Sequence, residues 1–134
     1  MNKLPLAKWS EHQERIKALI DDIGNKALDP TLYEDINKAC SNEWAFLFLK
    51  DDTFFILRPR VKRDIYHIDV VVAYSPINNA IPTYLPFILF LARNANAQYL
   101  RFYTARKGFN KVAIEHGFNK FGYHGNLAIW RYKL

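Results

Sequence analysis

The sequence is short of the residues that cross-link or punctuate small proteins. It has one cysteine, Cys40, and five glycines in 134 residues. A lone cysteine excludes an internal disulfide and suits a reducing compartment. With no partner and a helical setting, Cys40 reads as a buried structural thiol. Long apolar runs are missing too. None exceeds Phe87 to Ala92, far short of the ~20 residues a spanning helix needs, so no membrane association is expected. Met1 to Gln13 is polar and lacks the apolar stretch of a signal peptide. His12, His116 and His124 show no metal-ligand spacing and read as surface or turn residues. Acidic charge is scarce: 13 Asp and Glu against 19 Lys and Arg leave a net charge of +6, which suits an anionic partner. What is plentiful is apolar surface. Half of the residues are hydrophobic and 16% aromatic, enough for a sizeable core and against global disorder. One domain over residues 1–134 is expected.

In chain order, Lys3 to Lys8 suits a short strand that Pro5 confines to a sheet edge. Ser10 with Gln13 reads as a capping box, Ile16, Leu19, Ile20 and Ile23 follow helical spacing, and Gly24 stands where a C′ glycine belongs. Asp29 and Pro30 read as cap and first residue of a second helix, which Ser41-Asn42 ends. Three strands follow, WAFLFLK, TFFILRPRV and Asp64 to Tyr74. The polar pairs Asp51-Asp52 and Lys62-Arg63 join them into an antiparallel meander, with a bulge or fraying expected at Pro59. The last of these strands is nearly all apolar from Ile68 to Ala73, the pattern of a strand buried on both faces. A Pro- and Asn-rich corner leads to an apolar helix, whose start at Pro86 avoids proline inside the first full turn. Tyr99 to Thr104 is the next strand. The helix length suits a crossover between parallel neighbours. A short helix from Asn110 to His116 and a hairpin around His124-Gly125 complete an α/β domain with a mixed, mainly antiparallel sheet of six or seven strands and about four helices.

This order resembles the GNAT superfamily, the acyl-CoA-dependent N-acyltransferases, over essentially the whole chain. The C-terminal third carries the closest likeness: YLRFYT, a short helix, EHGF and IWRYKL look like the family's penultimate strand, last helix, closing "GF" and final strand. A looser resemblance is to small GNAT-like proteins of tailed bacteriophages. The likeness implies acetyl-CoA as cosubstrate, received by a Q/R-x-x-G-x-G/A loop whose glycines let backbone amides converge on the pyrophosphate. The matching stretch here, Ser75 to Thr83, has no glycine, and Pro76 and Pro82 lack the amide donor. Val72, Ala73, Tyr74, Asn78, Asn79, Thr83 and Thr104 are the positions the likeness assigns to the cofactor. The family's acidic Tyr falls on Ala113, which has nothing to donate. Tyr103 is the available substitute, although it also reads as an aromatic packed between strand and helix.

His67 and Asp69 are two apart on one strand and share a face, so they suit a polar pair and candidate general base. A carboxylate on an apolar strand needs a partner. A structural Asp–His or Asp–Arg pair satisfies the same need. Arg58, Arg60, Lys62 and Arg63 cluster at a hairpin, where they suit a solvated tip, a nucleic acid or the 3′-phosphate of CoA. Two functions stay open, and the missing glycine cradle and the alanine at the acid's position favour the first. One is a catalytically silent GNAT-like protein, without cofactor, acting through protein contacts with a phage particle or host protein. The other is an active acetyl-CoA-dependent N-acyltransferase with an atypical loop. The corresponding locations are a virion or the cytoplasm of a bacterial host.

Overall fold

The computed structural model describes residues 1–77, 79–105 and 108–134. The element order is β1 (Leu6–Ala7), α1 (Trp9–Lys26), α2 (Leu32–Ser41), β2 (Phe46–Lys50), β3 (Thr53–Lys62), β4 (Ile65–Tyr74), α3 (Ala80–Asn94), β5 (Tyr99–Thr104), α4 (Phe109–Glu115), β6 (Asn119–His124) and β7 (Leu127–Lys133). The strands form one seven-stranded sheet in the order β1-β2-β3-β4-β5-β7-β6. Only β4 and β5 run parallel; every other neighbouring pair is antiparallel. The sheet is therefore the mixed, mainly antiparallel one the sequence implies, and α3 is the crossover between its parallel strands.

Strand alternation divides the apolar side chains between two cores. Ile16 and Ile20 of α1 and Ile36 and Ala39 of α2 pack on Leu47, Phe54, Ile56 and Val72. Leu85 and Ile88 of α3 and Ala113 of α4 pack with Phe55, Leu57, Ile68, Val70 and Leu100 on the opposite side. Each fully buried Ile or Leu contributes about 1.5–3 kcal/mol. In β4 the alternation slips once. Ile56 pairs with Val72 but Leu57 with Val70, so Val71 is an extra residue, a bulge. The slip lets Ile68 and Val70 face one core and Val72 the other.

The bulge falls there and not at Pro59, which stays in register with Ile68. Beyond Leu57, β3 has no pair with β2, so a missing amide at Pro59 can face that open edge. The β3–β4 turn is Arg63-Asp64, one residue later than expected. Both have positive φ, 53° and 65°, the geometry of a type I′ hairpin.

Several helix ends differ from the sequence reading. Helix α1 starts at Trp9 with Lys8 as cap and no side-chain capping bond, not at Ser10. Trp9 is buried and its indole N–H donates to Asn37 Oδ1 at 2.8 Å, so packing between α1 and α2 sets that end. Gly24 lies inside α1, where a Cβ would sit 2.8 Å from the Asp29 carbonyl, so it allows close approach of the next loop and caps nothing. Helix α2 starts at Leu32. The Asp29 carboxylate instead accepts from the Thr31 amide and hydroxyl, at 3.2 and 3.0 Å, an Asx turn before the helix. Helix α3 starts at Ala80, six residues ahead of Pro86. Pro82 falls in the first turn, where amides have no intrahelical partner anyway. Only Pro86 sits inside the helix, and burial of Leu85, Phe87 and Ile88 beside it offsets one lost bond. At the end of α4, Gly117 has φ 89°, open to glycine and strained for other residues, and the Phe118 amide returns to the Ala113 carbonyl at 2.9 Å.

No described helix is long and apolar enough to cross a membrane.

Candidate functional site

Helices α1 and α2 cover only part of their side of the sheet. Where they stop, a groove of about 720 Å³ opens over β3, β4, β5 and β7, with β6 as one rim. Cross-strand register builds its floor. Arg58 pairs with Asp69, Asp69 with Arg101, and Arg101 with Arg131. Paired residues share a face and neighbouring strands lie ~4.8 Å apart, so three guanidinium groups and one carboxylate form a row across four strands. A second row runs beside it, from Arg60 through His67 to Tyr99.

His67 and Asp69 are each 4% exposed. His67 Nε2 lies 3.3 Å from Asp69 Oδ1, and Arg101 Nε lies 3.7 Å from the same oxygen. The expected Asp–His and Asp–Arg contacts are thus both present. They have ion-pair distances without hydrogen-bond geometry, because Asp69 Oδ1 and Arg101 Nε have no hydrogen-bond partner among the described residues. Arg101 is held by its outer nitrogen, which donates to the Tyr103 hydroxyl at 2.6 Å. Burial dominates the titration of the cluster. It pushes the Asp69 carboxyl up despite the pull of His67 and Arg101 towards the anion. It pushes His67 down, and Arg101 and Arg60 push the same way. Burial and then the Asp69 charge raise the Tyr103 phenol. At neutral pH this leaves a neutral imidazole beside Asp69 and a phenol that keeps its proton.

Tyr103 does not pack between strand and helix. Its neighbour Phe102 does, against Phe109 and Phe118, and alternation sends Tyr103 to the groove, edge-on to His124 at 6.5 Å. His124, expected only at a turn, lines the groove there. Arg101 and Arg131 were not singled out from the sequence. The alternation Tyr99, Arg101, Tyr103 was the available signal: a wholly polar or amphipathic face on a strand whose other face is apolar. Cys40 is buried, as expected, and burial pushes its thiol up to about 12.

The positions assigned to a cofactor lie apart from this cluster, at the carboxyl ends of β4 and β5. The pairing of these strands ends at Val70 with Phe102, although β4 continues to Tyr74 and β5 to Thr104. Two parallel strands therefore part just beyond Val70. Along the parting, Val72 is buried towards α1 and α2, Ala73 is exposed, and Tyr74 stacks on Phe54 at 5.9 Å. Ser75 Oγ is tied to Thr53 Oγ1 at 2.8 Å and accepts from the Ile77 amide at 3.3 Å. Asn79 caps α3, its carbonyl accepting from the Thr83 amide at 3.1 Å. The early start of α3 brings a helix N-terminus to the corner, with the Ala80 and Ile81 amides as its first donors. Pyrophosphate thus has two amides and a helix dipole available, where a glycine loop would give more. Asn78 lies outside the described residues.

No family model matches the sequence, and no curated protein matches it. Solved structures do. A GNAT-family acetyltransferase from Listeria monocytogenes has a TM-score of 0.65 at 14% identity, covering 99% of this chain and all of the other. N-acetylglutamate synthase from Neisseria gonorrhoeae, solved with coenzyme A and N-acetyl-glutamate, has a TM-score of 0.70 at 17% identity, and this chain spans 36% of its length. A PaiA N-acetyltransferase from Thermoplasma acidophilum, in complex with coenzyme A, has a TM-score of 0.53 at 18% identity, with 95% of this chain and 84% of that one covered. The chain has the fold of the GNAT acetyltransferases.

Proposed function

We propose that this protein is an acyl-CoA-dependent N-acyltransferase whose acceptor lies in the groove over β3, β4, β5 and β7. One observation carries the reading: the His67–Asp69–Arg101–Tyr103 cluster, with His67 and Asp69 buried, lies beside the place beyond Val70 and Phe102 where the pairing of β4 and β5 ends. Orphaned buried polar atoms cost free energy, and Asp69 Oδ1 and Arg101 Nε are orphaned here. A sheet kept only as scaffold gains nothing from them. Three structural neighbours were solved with coenzyme A or acetyl-CoA bound. The residues available to such a cosubstrate are the edges of β4 from Val72 to Tyr74 and the Ala80 and Ile81 amides, a partial but workable fit.

Acetyl-CoA, when bound, supplies an activated acyl thioester. His67, its imidazole kept neutral by burial and by Arg101 and Arg60, would take the proton of the acceptor ammonium as general base. The amide bond would form as the thioester carbon–sulfur bond breaks, the nitrogen shedding its second proton and the sulfur leaving as thiolate. Tyr103, still protonated because burial raises its phenol, would give its own proton to that sulfur, and the second proton shed by the nitrogen would pass to solvent in the groove.

The second reading, a catalytically silent protein working through contacts in a phage particle or with a host protein, is favoured by Ala113. It is 1% exposed and fills the place of the family's acid with a methyl group. Titration with acetyl-CoA at low salt separates the two. Micromolar binding together with acetyl transfer that Tyr103→Phe reduces supports the enzyme. Affinity no better than roughly millimolar, about −4 kcal/mol, overturns it.

A further inference from the structure

The row across the groove floor is short of negative charge. Arg58, Arg101 and Arg131 share one carboxylate, Asp69, and of the three only Arg101 is within ion-pair distance of it. Among the described residues Arg58, Arg60 and Arg131 form no ion pair at all. The other carboxylates on the groove wall, Asp29 and Asp35, are engaged by Thr31 at 3.0 to 3.2 Å. Arg131 is held in a particular way. Its guanidinium carbon lies 4.1 Å from the centre of the Tyr99 ring and 4.4 Å from that of Phe121. Two rings close on one cation fix it without using up its in-plane N–H groups, which is the arrangement that receives a carboxylate or phosphate through two parallel bonds. Arg101, its register partner, is fixed similarly by the Tyr103 hydroxyl and by the rings of Tyr103 and Phe121.

We propose that the groove selects an acceptor amine that carries at least two negative charges on carboxylate or phosphate oxygens, and that Arg131 is the residue that recognises one such group. This rests on the acyltransferase reading for the word acceptor, though not for the binding itself. Its physical content is a charge count. A polyamine or a lysine side chain brings positive charge to a floor that already has an excess of it, whereas a dianionic amine supplies what the row lacks and leaves its nitrogen near the His67–Asp69 pair. Arg131 touches the substrate but not the reacting atoms, so its loss should raise KM and leave kcat nearly unchanged.

The test uses the full chain with acetyl-CoA and three acceptors: the dipeptide Glu-Glu, O-phosphoethanolamine and spermidine. Product formation is followed by mass, and each acceptor is also titrated alone by calorimetry. The expected result is transfer to one or both anionic amines and little to spermidine. Arg131→Ala should raise KM for the anionic amine about ten-fold or more, and Arg131→Lys should restore only part of this, because an ammonium keeps the charge but loses the planar fork. Lys111→Ala, on the exposed side of α4, is the control for net charge and should change KM less than two-fold or so. Whichever anionic amine is used identifies carboxylate or phosphate as the group recognised. Preference for spermidine, or an unchanged KM in a folded Arg131→Ala, overturns the proposal while leaving the transferase intact. If acetyl-CoA does not bind, the transferase reading falls and the calorimetry decides alone. Anionic amine binding that Arg131→Ala abolishes sustains the site, and its absence overturns it. Arg131→Gln, closer in shape, replaces Arg131→Ala should the latter fail to fold.

Discussion

One side of the sheet has two halves with opposite chemistry. Under α1 and α2 the strands present Leu47, Phe54, Ile56 and Val72. Two and four residues further along β3 from Ile56, and three and five back along β4 from Val72, the same side presents Arg58, Arg60, Asp69 and His67. No secondary-structure boundary lies between the halves. The change follows the edge of the helical cover, and the Val71 bulge is where β4 crosses it. Apolar side chains on the covered half stabilise the fold. Polar ones beyond it are held in place by the sheet and stabilise it little, so their placement is informative about use.

The largest contrast should be in stability. Ile20→Ala, at a position 0% exposed in the covered half, should cost about 2–5 kcal/mol by urea denaturation. Arg60→Ala in the open half should stay within about 0.5 kcal/mol, as exposed substitutions usually do. Similar losses for the two would erase the distinction between the halves.

Asp69 tests the border. Asp69→Ala empties the buried place beside the Arg101 guanidinium and should cost roughly 3 kcal/mol, whereas the neutral isostere Asp69→Asn should cost less, because burial already disfavours the Asp69 charge. Adding Arg101→Met should recover most of that loss. If Asp69→Ala is neutral while transfer activity falls, the pair belongs to chemistry alone.

A smaller effect concerns pH. Asp69 has a raised value, so its contribution to stability is full below the ordinary carboxylate range and is lost as pH rises through the raised one. His67 has a lowered value, so its contribution is full above the ordinary imidazole range and is lost as pH falls through the lowered one. The two oppose each other in the wild-type protein. In His67→Gln the Asp69 slope should remain, with stability rising as the carboxyl becomes protonated. In Asp69→Asn stability should fall as His67 is forced to charge. Denaturation across the acid range measures both slopes, and equal signs would show that the titration is governed by other groups.

The fold was legible because its signals are local and repeated: β-branched runs, two-residue polar turns, and a helix of crossover length between two apolar strands. The Asp51-Asp52 turn was placed correctly, but the next was misplaced by one residue, since Lys62-Arg63 and Arg63-Asp64 are equally polar and only backbone φ distinguishes them. The start of α3 was misread because Pro82 and Pro86 compete locally, and burial of Leu85, Phe87 and Ile88 decides between them. Half of the candidate site was legible. His67 and Asp69 stand out as polar residues on an apolar strand. Arg101 and Arg131 do not, because an arginine in a strand is ordinary. Their meaning comes from register across four strands, which no single stretch contains.

The short parallel seam has a consequence for how the protein comes apart. Strands β2, β3 and β4 are joined by hairpins, β1 is joined to β2 through α1 and α2, and β5, β7 and β6 form a compact trio. The two groups meet in the sheet through four residue pairs, His67 with Tyr99 to Val70 with Phe102. Partial unfolding should therefore part the molecule along that line, as two cooperative units, before either unit melts. Deuterium would then enter the β4 and β5 amides of the seam earlier than those of the longer β3–β4 ladder beside it. A ligand bridging Arg58 on one side and Arg131 on the other would act as a clasp across the line and slow that entry.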